Sequence, residues 1–347
     1  MKRPTQVDVA RLAGVSRSTV SYVINGQTNG RVNISPETQQ RVQEAIAELG
    51  YVPDAQAQAL RSGNTRTIGV MIPSDLQNPH FWQYVDGIAQ IAESEGYRLL
   101  VSSTSIDPKH EQENLQDLAS RRIDGLILQG FLEPTKVTLQ TFKQLIKRKL
   151  PIVVTGNMIA NVDRVWTDYH DATDEVMAHL LSHQHERIGF VFGVQNPVFS
   201  VLGEDRLIPY KENLLKAGLP VDESLIVHCG PTIEDGYQAA YQLLSQTPRV
   251  TAVLAINDLL AIGILRAAAD LGIEVPTQLS VVGYDDIPMA RYLKPRLTTV
   301  SKDPVAAGKE AMRLILARIQ EPDRPVQKLP MPIRFIIRET TGPAPGR

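Results

Sequence analysis

The sequence predicts an α/β chain in two parts: a short all-helical head, then a long body folded as two doubly wound parallel sheets. Three observations carry this. Up to about residue 52, apolar residues recur at helical spacing between capping signals. From Thr67 onward the pattern changes to short apolar runs alternating with amphipathic stretches, which is how parallel sheets covered by helices read. Near Trp166-Thr167-Asp168 the alternation starts again, so two similar lobes follow one another.

In the head, Thr5 can cap a first helix with Asp8 at N3, and Val9, Leu12 and Ala13 are expected on its inner side before Gly14 stops it. Ser16 opens a second helix. Its Val20, Val23 and Ile24 form the expected buried stripe, while Arg17, Ser18, Ser21 and Tyr22 project from the other side until Asn25-Gly26 ends it. Two helices joined by a glycine-containing turn suggest a helix-turn-helix. A small polar face with one guanidinium suits the major groove: Arg17 can read guanine with two hydrogen bonds, and Ser18 and Ser21 can take a base edge or a phosphate. The alternative for these residues is a solvated helix face.

The run Val9-Ala10-Arg11-Leu12-Ala13-Gly14-Val15-Ser16-Arg17-Ser18-Thr19-Val20-Ser21, followed by Val23-Ile24-Asn25, resembles the DNA-binding signature of the lactose-repressor/galactose-repressor family of bacterial transcription regulators. It continues through Ser35-Pro36-Glu37-Thr38, an N-cap with Pro at N1, into a third helix with Val42, Ala45, Ile46 and Leu49 at core spacing up to Gly50. Tyr51-Val52-Pro53 then resembles the entry to the family's hinge helix. Asp54 to Leu60 holds good helix formers but few large apolar groups, so alone it is marginal in water. The resemblance implies that it orders when two copies pair over DNA, with Leu60 wedged between base steps of the minor groove; a plain linker is the alternative. The DNA contacts so implied are Thr5, Ser16, Arg17, Ser18, Thr19, Ser21, Tyr22, Asn25, Ala57 and Leu60. Tyr22 departs from the arginine of many relatives, and the loop Gln27 to Ile34 is longer than usual.

The body reads in order as strand Ile68–Ile72, helix Pro79–Glu95, strand Arg98–Ser102, helix Lys109–Arg121, strand Gly125–Leu128, helix Val137–Lys149 and strand Ile152–Thr155. The second lobe reads as helix Asp171–Ser182, strand Arg187–Phe192, helix Arg206–Ala217, strand Leu225–His228, helix Glu234–Ser245, strand Ala252–Ala255, helix Asn257–Leu271 and strand Leu279–Val282. This alternation resembles the same family's effector domain, which shares its fold with periplasmic sugar-binding proteins: two lobes, three crossovers and a ligand cleft. The resemblance implies crossovers near Asp163–Thr167, Ser301–Asp303 and Lys328–Pro332, with a helix from Val305 to Ile319. The expected division is residues 1–52 for the DNA-binding domain, 53–66 for hinge and linker, and 67–343 for the periplasmic-binding-protein-like domain. Within it, lobe 1 takes about 67–165 and 303–328, and lobe 2 about 166–301 and 330–343.

Ligands of open α/β folds sit at the carboxyl ends of strands, which makes Asp75, Asn78, Phe81, Gln129, Trp166, Asp168, Arg206, Asn257 and Asp285 the effector-site candidates. Carboxylates, amides and a guanidinium can pair with adjacent hydroxyls, and Phe81, Trp82 or Trp166 can cover the C–H face of a sugar. Each also has a structural alternative: a cap, a surface ion pair or a core aromatic. The resemblance favours Asp285, Arg206 and Asn257. His80, Gly156-Asn157 and Pro231 depart from sugar-responsive relatives, so the effector's identity does not transfer.

The 347 residues carry a formal net charge of -2, yet residues 1–66 hold eight Lys/Arg against five acids, leaving 28 basic and 33 acidic residues downstream. A basic head on an acidic body fits one module touching phosphates. The single cysteine, Cys229, rules out an intrachain disulfide framework. No apolar run reaches bilayer length and no secretory segment follows the basic N-terminus, so a cytoplasmic protein is expected. Dinucleotide, P-loop and nucleophile-elbow motifs are missing, and His179, His183 and His185 read better as a polar helix end than as a metal site. The expectation is therefore a non-enzymatic, ligand-responsive repressor without cofactor or metal. It would bind a pseudo-palindromic operator as a homodimer and take a carbohydrate effector. The chain ends Thr341-Gly342-Pro343-Ala344-Pro345-Gly346-Arg347 without the family's tetramer-forming heptads, which leads to the same expectation of dimers. A sugar receptor without regulatory role and an α/β enzyme are the alternatives.

Overall fold

The structure, a computed structural model, describes residues 4–26, 33–52, 64–73, 78–104, 108–129, 136–155, 161–192 and 201–346. The chain divides into two compact units, Met1–Thr65 and Arg66–Arg347. The hinge candidates Ala57 and Leu60, the loop candidate Asp75 and the departure Gly156-Asn157 lie outside the described residues.

The first unit holds α1 (Gln6–Ala13), α2 (Arg17–Ile24) and α3 (Pro36–Leu49). Thr5 and Asp8 cap α1 reciprocally, and Gly14 closes it at φ 65, a left-handed conformation that costs glycine nothing. Val9, Ala10, Ala13, Val20, Val42, Ala45 and Tyr51 make the small core. Leu12, expected inside, is 45% exposed. The buried stripe runs through Val9, Ala10 and Ala13 instead, and at about 100° per residue Leu12 falls outside that arc of the helix.

The second unit contains two six-stranded sheets among its described residues. The first is built from β1 (Thr67–Pro73), β2 (Arg98–Thr104), β3 (Gly125–Leu128), β4 (Ile152–Thr155) and β5 (Asp163–Trp166). It is wound with α4 (Pro79–Ser94), α5 (Pro108–Ser120) and α6 (Lys136–Lys147). The second follows the same plan with α7 (Tyr169–Ser182), β6 (Ile188–Phe192), α8 (Val201–Lys216), β7 (Ile226–His228), α9 (Ile233–Leu244), β8 (Ala252–Ala255), α10 (Asp258–Asp270), β9 (Ser280–Asp285) and β10 (Thr298–Ser301). The chain then returns through α11 (Pro304–Gln320) and adds β11 (Lys328–Pro330) to the first sheet and β12 (Arg334–Ile336) to the second.

Strand order is β11-β5-β4-β3-β1-β2 in one sheet and β12-β10-β9-β8-β6-β7 in the other. Order therefore reverses between β1 and β3, and again between β6 and β8, which opens a crevice at the carboxyl ends of these strands. All pairings are parallel except β10 with β12, so the sheets are not wholly parallel as expected. Alternation along β1 sets the layers of the first sheet. Ile68, Val70 and Ile72 join Tyr84, Ile88, Met312 and Ile315 on one face, while Met71 joins Leu115, Leu118 and Phe142 on the other.

Two helix pairs pack almost backbone to backbone. A methyl on Gly87 would strike the carbonyl of Val305, and one on Gly263 the carbonyl of Ile233, which binds α4 to α11 and α9 to α10. Asp163, with no side-chain exposure, accepts from Arg318 at 3.0 Å, Arg324 at 2.7 Å and the Gln327 backbone at 2.7 Å, so this buried carboxylate at one crossover has its charge compensated inside the protein.

Candidate functional site

On the first unit, α2 presents Arg17 and Ser18 to solvent. Arg17 Nε reaches Gln6 Oε1 only at 3.5 Å, which leaves its guanidinium almost uncommitted. Ser16 and Thr19 are tied to each other, with hydroxyls 2.9 Å apart and the Thr19 amide donating to Ser16 Oγ over 3.0 Å. Asn25 donates to the Ser21 carbonyl at 2.7 Å, and the Thr5 hydroxyl donates to Asp8 at 2.6 Å. Tyr22 is half-buried. Thr5, Ser16, Thr19 and Asn25 therefore fix the helix ends, and Arg17 and Ser18 are the open groups between them.

On the second unit, the side chains at the strand ends form a buried charged cluster. Asp285 ends β9 with φ 112, a backbone conformation rare outside glycine. Its Oδ2 accepts from Asn78 Nδ2 at 2.9 Å, and its Oδ1 lies 2.9 Å from Lys302 Nζ. Asn78 itself caps α4, accepting from the His80 amide at 3.0 Å. Lys302 Nζ donates to the Tyr169 hydroxyl at 2.7 Å. The Arg206 guanidinium lies over the same tyrosine, 3.8 Å from the ring centroid, and 5.1 Å from that of Tyr284. Tyr284 is fixed in turn by a 2.7 Å hydrogen bond to Thr173.

Burial and neighbouring charge set the protonation states here. Burial opposes the charge of Asp285, but Lys302 overrides it and holds the carboxyl below its usual range. Burial likewise opposes the charge of Lys302, and Asp285 lifts it above the ordinary lysine value. Burial, helped by Lys302, pushes His80 down to about 3, so its ring is neutral. Asp258 is the contrary case: burial, with Asp285 nearby, raises it well above the carboxylate range, although Thr299 donates to it at 2.5 Å and the Ile287 amide at 2.8 Å.

Asn78, Arg206 and Asp285 are thus gathered in one cluster, and Phe81 stands beside it against His80, with ring centroids 5.5 Å apart. Gln129 follows β3 with its Oε1 buried and without a partner. Trp166 ends β5 half-buried, and Asn257 caps α10 while donating to the Pro231 carbonyl at 3.1 Å. These three share strand ends with the cluster but have no side-chain hydrogen bond to it. Asp168 is exposed and caps α7 by accepting from the His170 amide at 3.0 Å. Sequence reasoning passed over Lys302 and Tyr169. The signal for Lys302 was its place one residue after Thr298–Ser301, and it was missed because Ser301–Asp303 was read only as a crossover.

The head and body each match a known family model. Residues 5–54 match the bacterial regulatory proteins of the lacI family, and residues 177–341 match a periplasmic binding protein-like domain. The ribose operon repressor of Haemophilus influenzae is 33% identical over 97% of this chain and 98% of its own. Among solved structures, a complex of the transcriptional regulator CelR with cellobiose is 30% identical, with TM-score 0.70 over 97% of this chain and all of that one (100%). The lac repressor dimer bound to operator and the anti-inducer ONPF is 28% identical, with TM-score 0.82 over 98% of this chain and 100% of that one. With a capped helical head, a two-sheet body and this likeness along nearly its whole length, the chain belongs to the lacI family of bacterial transcriptional regulators.

Proposed function

We propose that this chain is a ligand-responsive transcriptional repressor that binds a pseudo-palindromic operator as a homodimer, with a small carbohydrate held between the lobes of its body. The carrying observation is the union, in one polypeptide, of a helix offering Arg17 and Ser18 to solvent and a crevice at whose strand ends Asn78, Arg206, Asp285 and Lys302 converge. The relatives support both halves, since one solved neighbour is a dimer on operator DNA and another holds cellobiose. In this reading residues 1–52 bind DNA, 53–66 act as the hinge and 67–343 receive the effector.

Arg17 and Ser18 read bases, with Ser21 and Tyr22 beside them, while Thr5, Ser16, Thr19 and Asn25 position the helix against phosphates. Ala57 and Leu60 belong to the hinge in the minor groove. Asn78, Arg206, Asn257 and Asp285 bind effector hydroxyls, Asp75, Gln129 and Asp168 flank them, and Phe81 and Trp166 cover an apolar sugar face. Regulation in the cytoplasm, rather than catalysis, is the activity assigned. The relatives named above are regulators, and no helix among the described residues is long and apolar enough to cross a membrane.

The test is to enrich duplexes from a random library with the purified full chain and to titrate the winner by fluorescence anisotropy. Two chains should bind each duplex, and affinity should fall about a thousandfold between about 50 and about 200 mM salt, as for a protein making several phosphate contacts. Failure to enrich any duplex at low salt would overturn the reading.

A further inference from the structure

Two helices on different lobes carry the same surface pattern with opposite charge. On α6, Leu139 and Ile146 are seven residues apart with Lys143 between them; on α8, Ile208 and Leu215 are seven residues apart with Glu212 between them. In both, the charge follows the first apolar residue by four positions and precedes the second by three. Seven residues make two turns, so each set runs along one side of its helix over about 10.5 Å. That side faces outward. Leu139 and Ile146 are 38% and 40% exposed and Ile208 and Leu215 49% and 63%, whereas Phe142 and Leu145 of α6 and Tyr210 and Leu214 of α8 fill the cores beneath.

The surrounding charge is complementary as well. From Lys136 to Lys149 the chain carries five basic residues and no acid, and Lys143, Lys147 and Arg148 are exposed and make no ion pair among the described residues. Helix α7 packs beside α8, with Asn213 donating to Asp174 at 2.6 Å; it holds no lysine or arginine and exposes Asp171 and Glu175 one turn apart. Glu212 has only long contacts, 3.5 Å to His170 and 3.7 Å to Lys216, both at the surface. Such pairs are weak and leave the carboxylate open to a second cation.

Single apolar residues scattered on a surface are ordinary. Two apolar residues at a heptad step on each of two helices, with opposite charges at the same place between them, are what helices that pack on one another show. We infer that α6 of one molecule docks on α8 of a second copy of this chain, setting Leu139 and Ile146 against Ile208 and Leu215, and Lys143 against Glu212. With the helices parallel the three pairs coincide, and with them antiparallel Lys143 and Glu212 are offset by only about 1.5 Å. A contact between different surfaces adds copies head to tail, unlike the two-fold contact of a dimer, so it carries assembly beyond the homodimer. Two short helix faces fall well below the roughly 1,600 Å² of a standard stable interface, so the contact is weak and forms where molecules are concentrated.

The test is sedimentation velocity of the full chain without DNA, from about 1 µM to about 1 mM, the range that spans weak protein contacts. The sedimentation coefficient should climb beyond that of the smallest species, and the climb should weaken in about 1 M salt, where the screening length is about 3 Å. Lys143→Glu turns attraction into repulsion and should weaken the association about tenfold, as should Glu212→Lys. Both changes on one chain restore opposite charges and should recover most of the loss. Ile146→Ser should weaken association at low and high salt alike, and it reads the same face if a charge variant does not fold. The mass of the smallest species reports the homodimer, so that reading and this one fail separately. No growth at the highest concentration, growth that the reversals leave unchanged, or a double exchange that restores nothing would overturn the inference.

Discussion

Asn78 and Asp285 lie 207 positions apart in the chain, yet the amide of the first donates to the carboxylate of the second over 2.9 Å, both side chains being buried. Asn78 stands at the N-terminus of a first-sheet helix and Asp285 at the carboxyl end of a second-sheet strand, so this bond ties the two lobes at their strand ends. Lys302 completes the junction from the crossover that follows β10.

Asp285→Asn should therefore destabilise the second unit far more than loss of a surface pair. The substitution keeps the shape but strands the Lys302 ammonium, whose side chain is only 14% exposed, without a counter-charge. Breaking a buried pair from one side costs roughly 3–5 kcal/mol, against about 1 kcal/mol or less at the surface. Urea unfolding separates the two, and the Asp285→Asn, Lys302→Gln double variant should recover part of the loss. A fall below about 1 kcal/mol would mean that water reaches the pair.

Gly87→Ala and Gly263→Ala should each destabilise, by roughly 1–3 kcal/mol. In an exposed helix the same change would gain up to about 1 kcal/mol from alanine's helix propensity. The sign is decided by what the new methyl meets: backbone carbonyls of Val305 and Ile233, which cannot rotate away as a side-chain tip can. Thermal unfolding showing either variant as stable as the parent would remove the close helix contact from the account of that lobe.

Most of this architecture was legible because it rests on long periodic segments. Gly125–Leu128, Ile152–Thr155 and Ala252–Ala255 are found where the apolar runs place them, each flanked by a helix with its own stripe. The crossover strands were not, because three or four residues such as Lys328–Pro330 or Arg334–Ile336 carry no period; their partners in the sheet make them strands. Helix α8 starts at Val201, ahead of the Arg206 expected from the pattern, and runs through Pro209. At the crevice, Asp285 and Arg206 were visible as polar groups after strands. The pairing that changes their meaning was not, since Lys302 meets Asp285 only once β9 and β10 lie side by side.

The neutral ring of His80 makes stability depend on acid. Its folded value near 3 lies below the ordinary 6.5, so the native state binds fewer protons than the unfolded chain between those limits. Its contribution is complete above about pH 6.5 and is lost as pH falls toward 3, at up to about 1.4 kcal/mol for each pH unit. His80→Phe removes this titration. Unfolding free energies measured from neutral pH downward should show the parent losing its advantage over the variant across that window. Parallel curves would place the ring in contact with water.

Arg17→Ala should relax discrimination at one base pair in each operator half-site, at a cost of roughly 1–3 kcal/mol for the preferred base and little for the others. The geometry favours base reading because Arg17 is exposed and held only by a 3.5 Å approach to Gln6, whereas its neighbours Ser16 and Thr19 are engaged in the helix cap. Ser16→Ala is the matching control. It removes the acceptor for the Thr19 amide and should cost about 1 kcal/mol of helix stability, weakening binding to every sequence alike. Anisotropy titrations of single-base operator variants distinguish the two patterns. If Arg17→Ala also loses affinity uniformly, and its salt slope falls by about one, the guanidinium is on a phosphate and specificity must come from Ser18 and the residues around it.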